Sequence, residues 1–141
     1  MKHLIIFITI SFFSAVTGLA QSSDIVDITE TIKSFAKAGD LSDADKLSHY
    51  LDDHFTIVSN RLFGSDQVSI MDKNTYLEKI RIKEFGGDQR EVSIEGILLN
   101  GTSASAKVIY AGKKLTFTSI VILIKDNNGT WKLVNETPVV A

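Results

Sequence analysis

His49–Tyr50–Leu51–Asp52–Asp53–His54 brings two imidazoles, a phenol and two carboxylates together in one short stretch. Groups of this kind could form an acid–base pair, because imidazole titrates near neutrality. They could also form a metal site from His49, His54 and a carboxylate. The spacing argues against both. Two histidines five apart do not share a helix face, and the predicted helix ends between them. The stretch reads as a solvated helix end, with the histidines near the negative pole of the dipole. No metal is expected and no catalytic residue is assigned. Catalysis, if present, would draw its acid–base groups from His49, Tyr50, Asp53 and His54.

Tyr50, Tyr76, Tyr110 and Trp131 are the candidate ligand-binding residues, since flat rings carrying one polar atom suit a planar ligand. The same rings could serve as core. Arg61, Arg81 and Arg90 could hold an anion, but they are scattered over a loop, a helix and a strand start, which points to the surface. No phosphate-binding glycine loop, Cys/His metal spacing or serine nucleophile elbow occurs, and no cofactor is expected. Asn100–Gly101–Thr102, Asn128–Gly129–Thr130 and Asn135–Glu136–Thr137 match the glycosylation sequon; the first two are better read as turns.

The elements that would carry these residues follow from periodicity. Ile25, Ile28, Ile32 and Phe35 share one face of a helix over Asp24–Ala38, stopped by Gly39. Ser42 caps a second helix over Asp43–Leu51, with Ala44, Leu47 and Leu51 as its stripe. Phe55–Ser59 is a strand and Arg61–Gln67 a loop. Asp72 caps a third helix, Lys73–Glu84, ended by Gly86–Gly87. The period then changes from 3.6 to 2. Arg90–Leu99, Ser103–Ala111, Leu115–Lys125 and Thr130–Glu136 are strands joined by tight turns, hence an antiparallel meander. Gly96, inside the first of them, marks a bulge or bend. Ile32, Phe35, Leu47, Phe55, Ile80, Val108 and Phe117 are the expected core. Helices first and a meander last give an α+β fold with helices on one face of a curved sheet.

The chain has 141 residues, room for one domain. A basic start, the apolar run Leu4–Phe13 and the small residues Gly18 and Ala20 form a secretory signal over residues 1–20. The run falls short of the roughly 20 apolar residues of a membrane span. The domain is then residues 21–141, periplasmic or extracellular, with no membrane contact in the mature form. With 15 basic against 17 acidic residues the chain lacks the basic excess of a nucleic-acid binder. There is no cysteine, so the core alone holds the fold.

The order helix, helix, strand, helix, meander, closing on Gly129–Thr130–Trp131–Lys132–Leu133–Val134, resembles the nuclear transport factor 2-like superfamily. Ala38–Gly39–Asp40, Leu47, Leu51 and Phe55 match its Gly-Asp, Leu, Leu and Asp-x-Phe spacing. Within it, residues 24–136 look most like the small exported bacterial proteins of the putative lumazine-binding family. The resemblance implies a cone-like curved antiparallel sheet against three N-terminal helices, with a small-molecule pocket in the cone. Ketosteroid isomerase, scytalone dehydratase and polyketide cyclases share that fold and place Asp, His or Tyr inside it, but no local motif of theirs matches here. Two functions stay open: an exported, non-catalytic domain binding a small apolar or planar ligand, or a small isomerase, dehydratase or cyclase. Leu115–Lys125 adds a partner. Phe117, Val121 and Leu123 face one way and Ile120, Ile122 and Ile124 the other, so a second copy, docked as a homodimer through the sheet face, would cover what the helices leave.

Exported protein should begin at Gln21. N-terminal sequencing that returned Met1 would overturn the signal assignment.

Overall fold

The computed structural model describes the backbone of residues 14–140 and side chains from Ala20 to Val140. Residues 1–13, the bulk of the predicted signal segment, lie outside it. Helix α1 spans Ser14–Asp40. It starts earlier than the expected Asp24, because adding a residue to an existing helix costs little once the first turn has formed. Ile28, Ile32, Phe35, Ala36 and Ala38 of α1 are buried, at the three- and four-residue steps that put them on one face. Among the described residues no helix is long and apolar enough to cross a membrane.

Helix α2 is a single turn, Ala44–Ser48, capped by Asp43, whose carboxylate accepts the Lys46 N–H at 2.9 Å. The expected cap, Ser42, instead takes a left-handed φ of 51°, while the Asp43 N–H returns to the Ala38 carbonyl at 3.0 Å. The helix also stops before Leu51. Strand β1, Leu51–Asn60, begins there because the Leu133 N–H takes the Tyr50 carbonyl at 2.9 Å and draws the chain into the sheet. Strand β2, Val68–Asp72, escaped the sequence reading. It is a short edge strand of five residues whose apolar Val68 and Ile70 stand in water, so its hydrophobicity marks no core face. Helix α3, Lys73–Arg81, has the expected Asp72 cap on the Thr75 N–H at 2.8 Å. It ends before Glu84, where Lys83 turns to a φ of 58°.

Strands β3 (Arg90–Asn100), β4 (Ser103–Gly112), β5 (Thr116–Lys125) and β6 (Trp131–Val140) form the expected meander. The six strands lie in the order β2-β1-β6-β5-β4-β3. One pairing departs from an all-antiparallel sheet: β1 runs parallel to β6, which is possible because α3, β2 and the meander separate them in sequence. Two strands of the meander carry an extra residue. In β3 the register slips between Ile94 and Ile97, where Gly96 sits at a φ of 86°, a left-handed position that glycine takes without a Cβ clash. In β6 the slip falls at Val134, since Ile122 faces Asn135 while Leu123 faces Leu133. Bulges of this kind bend a sheet.

The core lies between α1, α3 and the inner sheet face. All the expected core residues join it, with Phe117 half-buried at its edge. Phe55 packs its ring against Tyr76 at 5.7 Å and Phe35 at 6.4 Å. Along β5, Val121 and Leu123 are buried while Ile120 is 46% exposed, so the two faces of that strand diverge as expected. Phe55→Ala should cost about 3–5 kcal/mol, the usual range for a buried Phe. A loss below about 1 kcal/mol in a denaturant titration would show that the ring contributes no core packing.

Candidate functional site

Between α1, α3 and the far halves of β1, β5 and β6 the core opens into a cavity of about 410 Å³. Its apolar wall is built from Phe35 of α1, Ile80 of α3, Ile57 of β1, Met71 of β2 and Phe117 of β5. Four polar side chains of the helices and strands face the same space: Ser59, Tyr76, Arg90 and Glu136. Glu84, Asp88 and Lys114 stand among the lining residues on the connections outside the sheet. Gly86 closes this end of the molecule. A Cβ there would meet the Gly39 carbonyl oxygen at 2.3 Å, so only glycine lets the loop after α3 lie against the end of α1.

Glu136 is 5% exposed. Its Oε1 accepts the Ser119 hydroxyl at 2.8 Å. Burial pushes its carboxyl pKa up, against the Ser119 hydrogen bond and the charge of Arg90, which favour ionisation. Tyr76 is likewise raised, first by burial and then by Glu136, and burial keeps Tyr110 neutral too.

Arg90 was expected at the surface, but its side chain is only 14% exposed. Its N–H and Nε bind the Asp40 carboxylate and its Nη2 takes the Ala36 carbonyl at 3.0 Å. This places a guanidinium at the C-terminal end of α1, where unpaired carbonyls favour a cation. The guanidinium also covers the Tyr110 ring at 5.0 Å and the Phe117 ring at 5.7 Å. Arg61 is exposed, and Arg81 reaches Asp45 and Glu78 at the surface.

Of the four rings singled out by sequence, Tyr76 lines the cavity. Tyr110 is fully buried behind it, stacked on Phe117 at 4.9 Å. Trp131 is buried at the other end of β6, donating its indole N–H to Asp24 at 3.1 Å. Tyr50 packs partly against the core and is not among the cavity residues.

The acid–base candidates lie elsewhere. The His54 and Asp53 side chains are 91% and 94% exposed. The Asp53 carboxylate pairs with Lys73 at 2.9 Å, which with that lysine's charge lowers its pKa. His54 folds back onto Asp52, and the His49 carbonyl accepts Lys132. His49 is the C-cap of α2, as a helix end requires, but Leu51–His54 are the first part of strand β1, and neither histidine reaches the cavity. No group of three or more potential metal ligands converges among the described residues.

Glu136 is the cavity-lining acid that sequence reasoning missed, and Arg90, named there as a possible anion holder, was placed at the surface instead of in the cavity wall. Strict alternation from Trp131 and Leu133 puts Asn135 inside and Glu136 outside. The extra residue at Val134 reverses that phase, so Glu136, Pro138 and Val140 turn toward the cavity. A second, open groove of about 460 Å³ runs between α1 and β3 past Ile25, Lys33 and Ile94. Lys33 is its one ionisable lining residue, so polar groups do not converge there.

The profile of one family, described as putative lumazine-binding, matches residues 23–137. A search of curated protein sequences finds no match. Among solved structures, an NTF2-like protein of unknown function from Shewanella baltica is 18% identical, with a TM-score of 0.74 over 85% of this chain and 95% of that one. A second, from Silicibacter pomeroyi, is 12% identical with a TM-score of 0.74, covering 86% of this chain and 98% of its own. A putative scytalone dehydratase from Novosphingobium aromaticivorans is 15% identical with a TM-score of 0.64, covering 86% of each chain. At these identities the likeness is one of fold.

Burial of Glu136 carries a pH signature. With its folded pKa above the ordinary 4.5, the native state binds more protons than the unfolded state over the interval between the two values. Its contribution is therefore fully present below the unfolded pKa and is lost as pH rises through the folded one. Glu136→Gln should gain stability relative to wild type at pH 7 but not at pH 4. An equal stability difference at both, in paired urea titrations, would mean that the carboxyl is ionised normally.

Proposed function

Because this chain belongs to the putative lumazine-binding family of NTF2-like domains, we propose that its cavity binds a small planar molecule. We propose also that the protein works outside the cytoplasm after loss of residues 1–20, holding that ligand rather than transforming it. The observation that carries this reading is the make-up of the cavity. It falls within the usual 300–1,000 Å³ of a small-molecule site, is walled mainly by apolar and aromatic side chains, and has a few convergent polar groups.

Those polar groups favour binding over turnover. An isomerase or dehydratase needs a group in the cavity that accepts a proton. Glu136 and Tyr76 are both driven toward their neutral forms by burial. Arg90 is committed to Asp40 and Ala36. Glu84 is paired with Lys79, and the Asp88 carboxylate accepts the backbone N–H groups of Lys113, Lys114 and Leu115. What remains is a set of polar groups, engaged by neighbours or pushed toward neutrality by burial, around an aromatic slot.

The outer sheet face supports a symmetric homodimer. Leu98, Ser105, Ile122 and Asn135 form one cross-strand row on that face, and Lys107, Ile120 and Thr137 the next. Leu98 is 72% and Val139 61% exposed. Together with Ile120, Ile122 and Ile124 they make an apolar stripe that a twofold partner would bury.

Two measurements test these readings. Lumazine, a fluorescent planar probe, should bind purified wild-type protein, and Ser59→Trp, which fills the cavity from β1, should weaken it about tenfold or more without unfolding the protein. Absence of lumazine binding, together with no ligand retained in native mass spectra of protein from its own host, would remove the binding proposal. For the dimer, Ile122→Asp should give a folded monomer by light scattering with unchanged far-ultraviolet dichroism. A wild-type protein that is monomeric at high micromolar concentration would end the dimer proposal.

A further inference from the structure

Glu136 is the one acidic side chain buried inside the cavity wall, and its surroundings specify what it can do. One carboxyl oxygen is taken by the Ser119 hydroxyl at 2.8 Å. The group lines the cavity together with Tyr76 and Phe117, and no salt bridge reaches it among the described residues. The cation whose charge acts on it is Arg90, which already balances Asp40. An ionised Glu136 would set two carboxylates against one guanidinium in an apolar interior, a costly arrangement compared with keeping the proton. Of the other charged groups lining the cavity, Glu84 is engaged by Lys79, Asp88 is held by backbone N–H groups, and Lys114 stands beside Asp88.

Resting on the binding reading above, we propose that the Glu136 carboxyl O–H is the anchor of the site and donates a hydrogen bond to a ring nitrogen or carbonyl oxygen of a flat, uncharged ligand. The Ser119 hydroxyl donates to Oε1, which orients the carboxyl plane and leaves the other oxygen to carry the proton. The rings of Phe35, Tyr76 and Phe117 supply the flat walls. The ligand class is therefore a neutral fused-ring heterocycle with an exposed acceptor. Amines and quaternary cations are disfavoured because Glu136 keeps its proton and the Glu84 and Asp88 carboxylates are already engaged.

Three bicyclic probes of similar shape separate the alternatives: naphthalene without an acceptor, quinoline with a ring nitrogen, and N-methylquinolinium with a fixed positive charge. Their dissociation constants would be measured at pH 7 on wild type, Glu136→Gln and Glu136→Leu. Glu136→Leu should weaken quinoline by about five- to tenfold, the usual net worth of one hydrogen bond, with naphthalene unchanged or tighter. Glu136→Gln, whose amide still donates, should hold quinoline within about twofold. N-methylquinolinium should bind wild type more weakly than quinoline. A tighter N-methylquinolinium complex, or a leucine variant that loses quinoline and naphthalene equally, overturns the anchor and leaves the cavity reading standing. Failure of all three probes to bind wild type overturns both. If Glu136→Leu does not fold, the infrared difference between wild type and Glu136→Gln decides. A protonated carboxyl band at pH 7 is expected, and a carboxylate band in its place overturns the proposal.

Discussion

The Asp40–Arg90 pair is the joint on which this arrangement hangs. Asp40 is the last residue of α1 and Arg90 the first of β3, fifty positions on. Their contact pins the end of the long helix to the edge of the meander and closes the cavity at that corner. Both side chains are largely out of water, so losing either would leave the other a buried, uncompensated charge, at a cost of about 3–5 kcal/mol. The Nη2 bond to the Ala36 carbonyl uses the guanidinium as a helix cap as well. Gly86 depends on the same corner, because the loop it belongs to lies directly on the Gly39 carbonyl and Gly87 donates to that oxygen at 3.3 Å.

Much of the fold was legible because it rests on local signals. The α1 stripe, the Asp72 cap, the hairpin at Asn100–Gly101 and the bulge at Gly96 all follow from residues within a few positions of one another. What was not legible depends on partners distant in sequence. Leu51 reads as the end of a helix stripe until Leu133 captures the chain, and Asp53 and His54 then become strand residues in water. Arg90 reads as a surface arginine because nothing local reveals Asp40. Glu136 is hidden for a subtler reason. Its orientation depends on one unpaired residue at Val134, which has no glycine to mark it, unlike the bulge in β3. A one-residue slip flips every later side chain, so the cavity's acid was legible only from the strand pairing.

The two bulges also divide the labour of the sheet. Before them, β3 and β6 turn apolar residues such as Ile94 and Leu133 toward the helices. After the slip in β6, the inward positions are Glu136, Pro138 and Val140, which line an opening rather than fill a core. The same strand thus begins as packing, with Trp131 tied to Asp24, and ends as cavity wall. Strand β5 keeps its phase throughout, which is why Val121 and Leu123 stay buried and the isoleucines between and beside them stay on the outer face.

The polar interior is tolerable because its charges cancel locally. Around one guanidinium stand one carboxylate, Asp40, and three groups whose neutral forms burial favours: Glu136, Tyr76 and Tyr110. The Tyr110 hydroxyl has no hydrogen-bond partner among the described residues, a loss of about 1–3 kcal/mol for a buried polar atom. Its ring offsets part of that loss, lying under the Arg90 guanidinium on one side and stacking on Phe117 on the other. Removing the ring would therefore loosen Arg90, and with it the corner that shapes the cavity. Tyr110 thus acts on the site from behind its wall, holding the arginine and Phe117 in place, whereas Tyr76 and Glu136 face the opening itself.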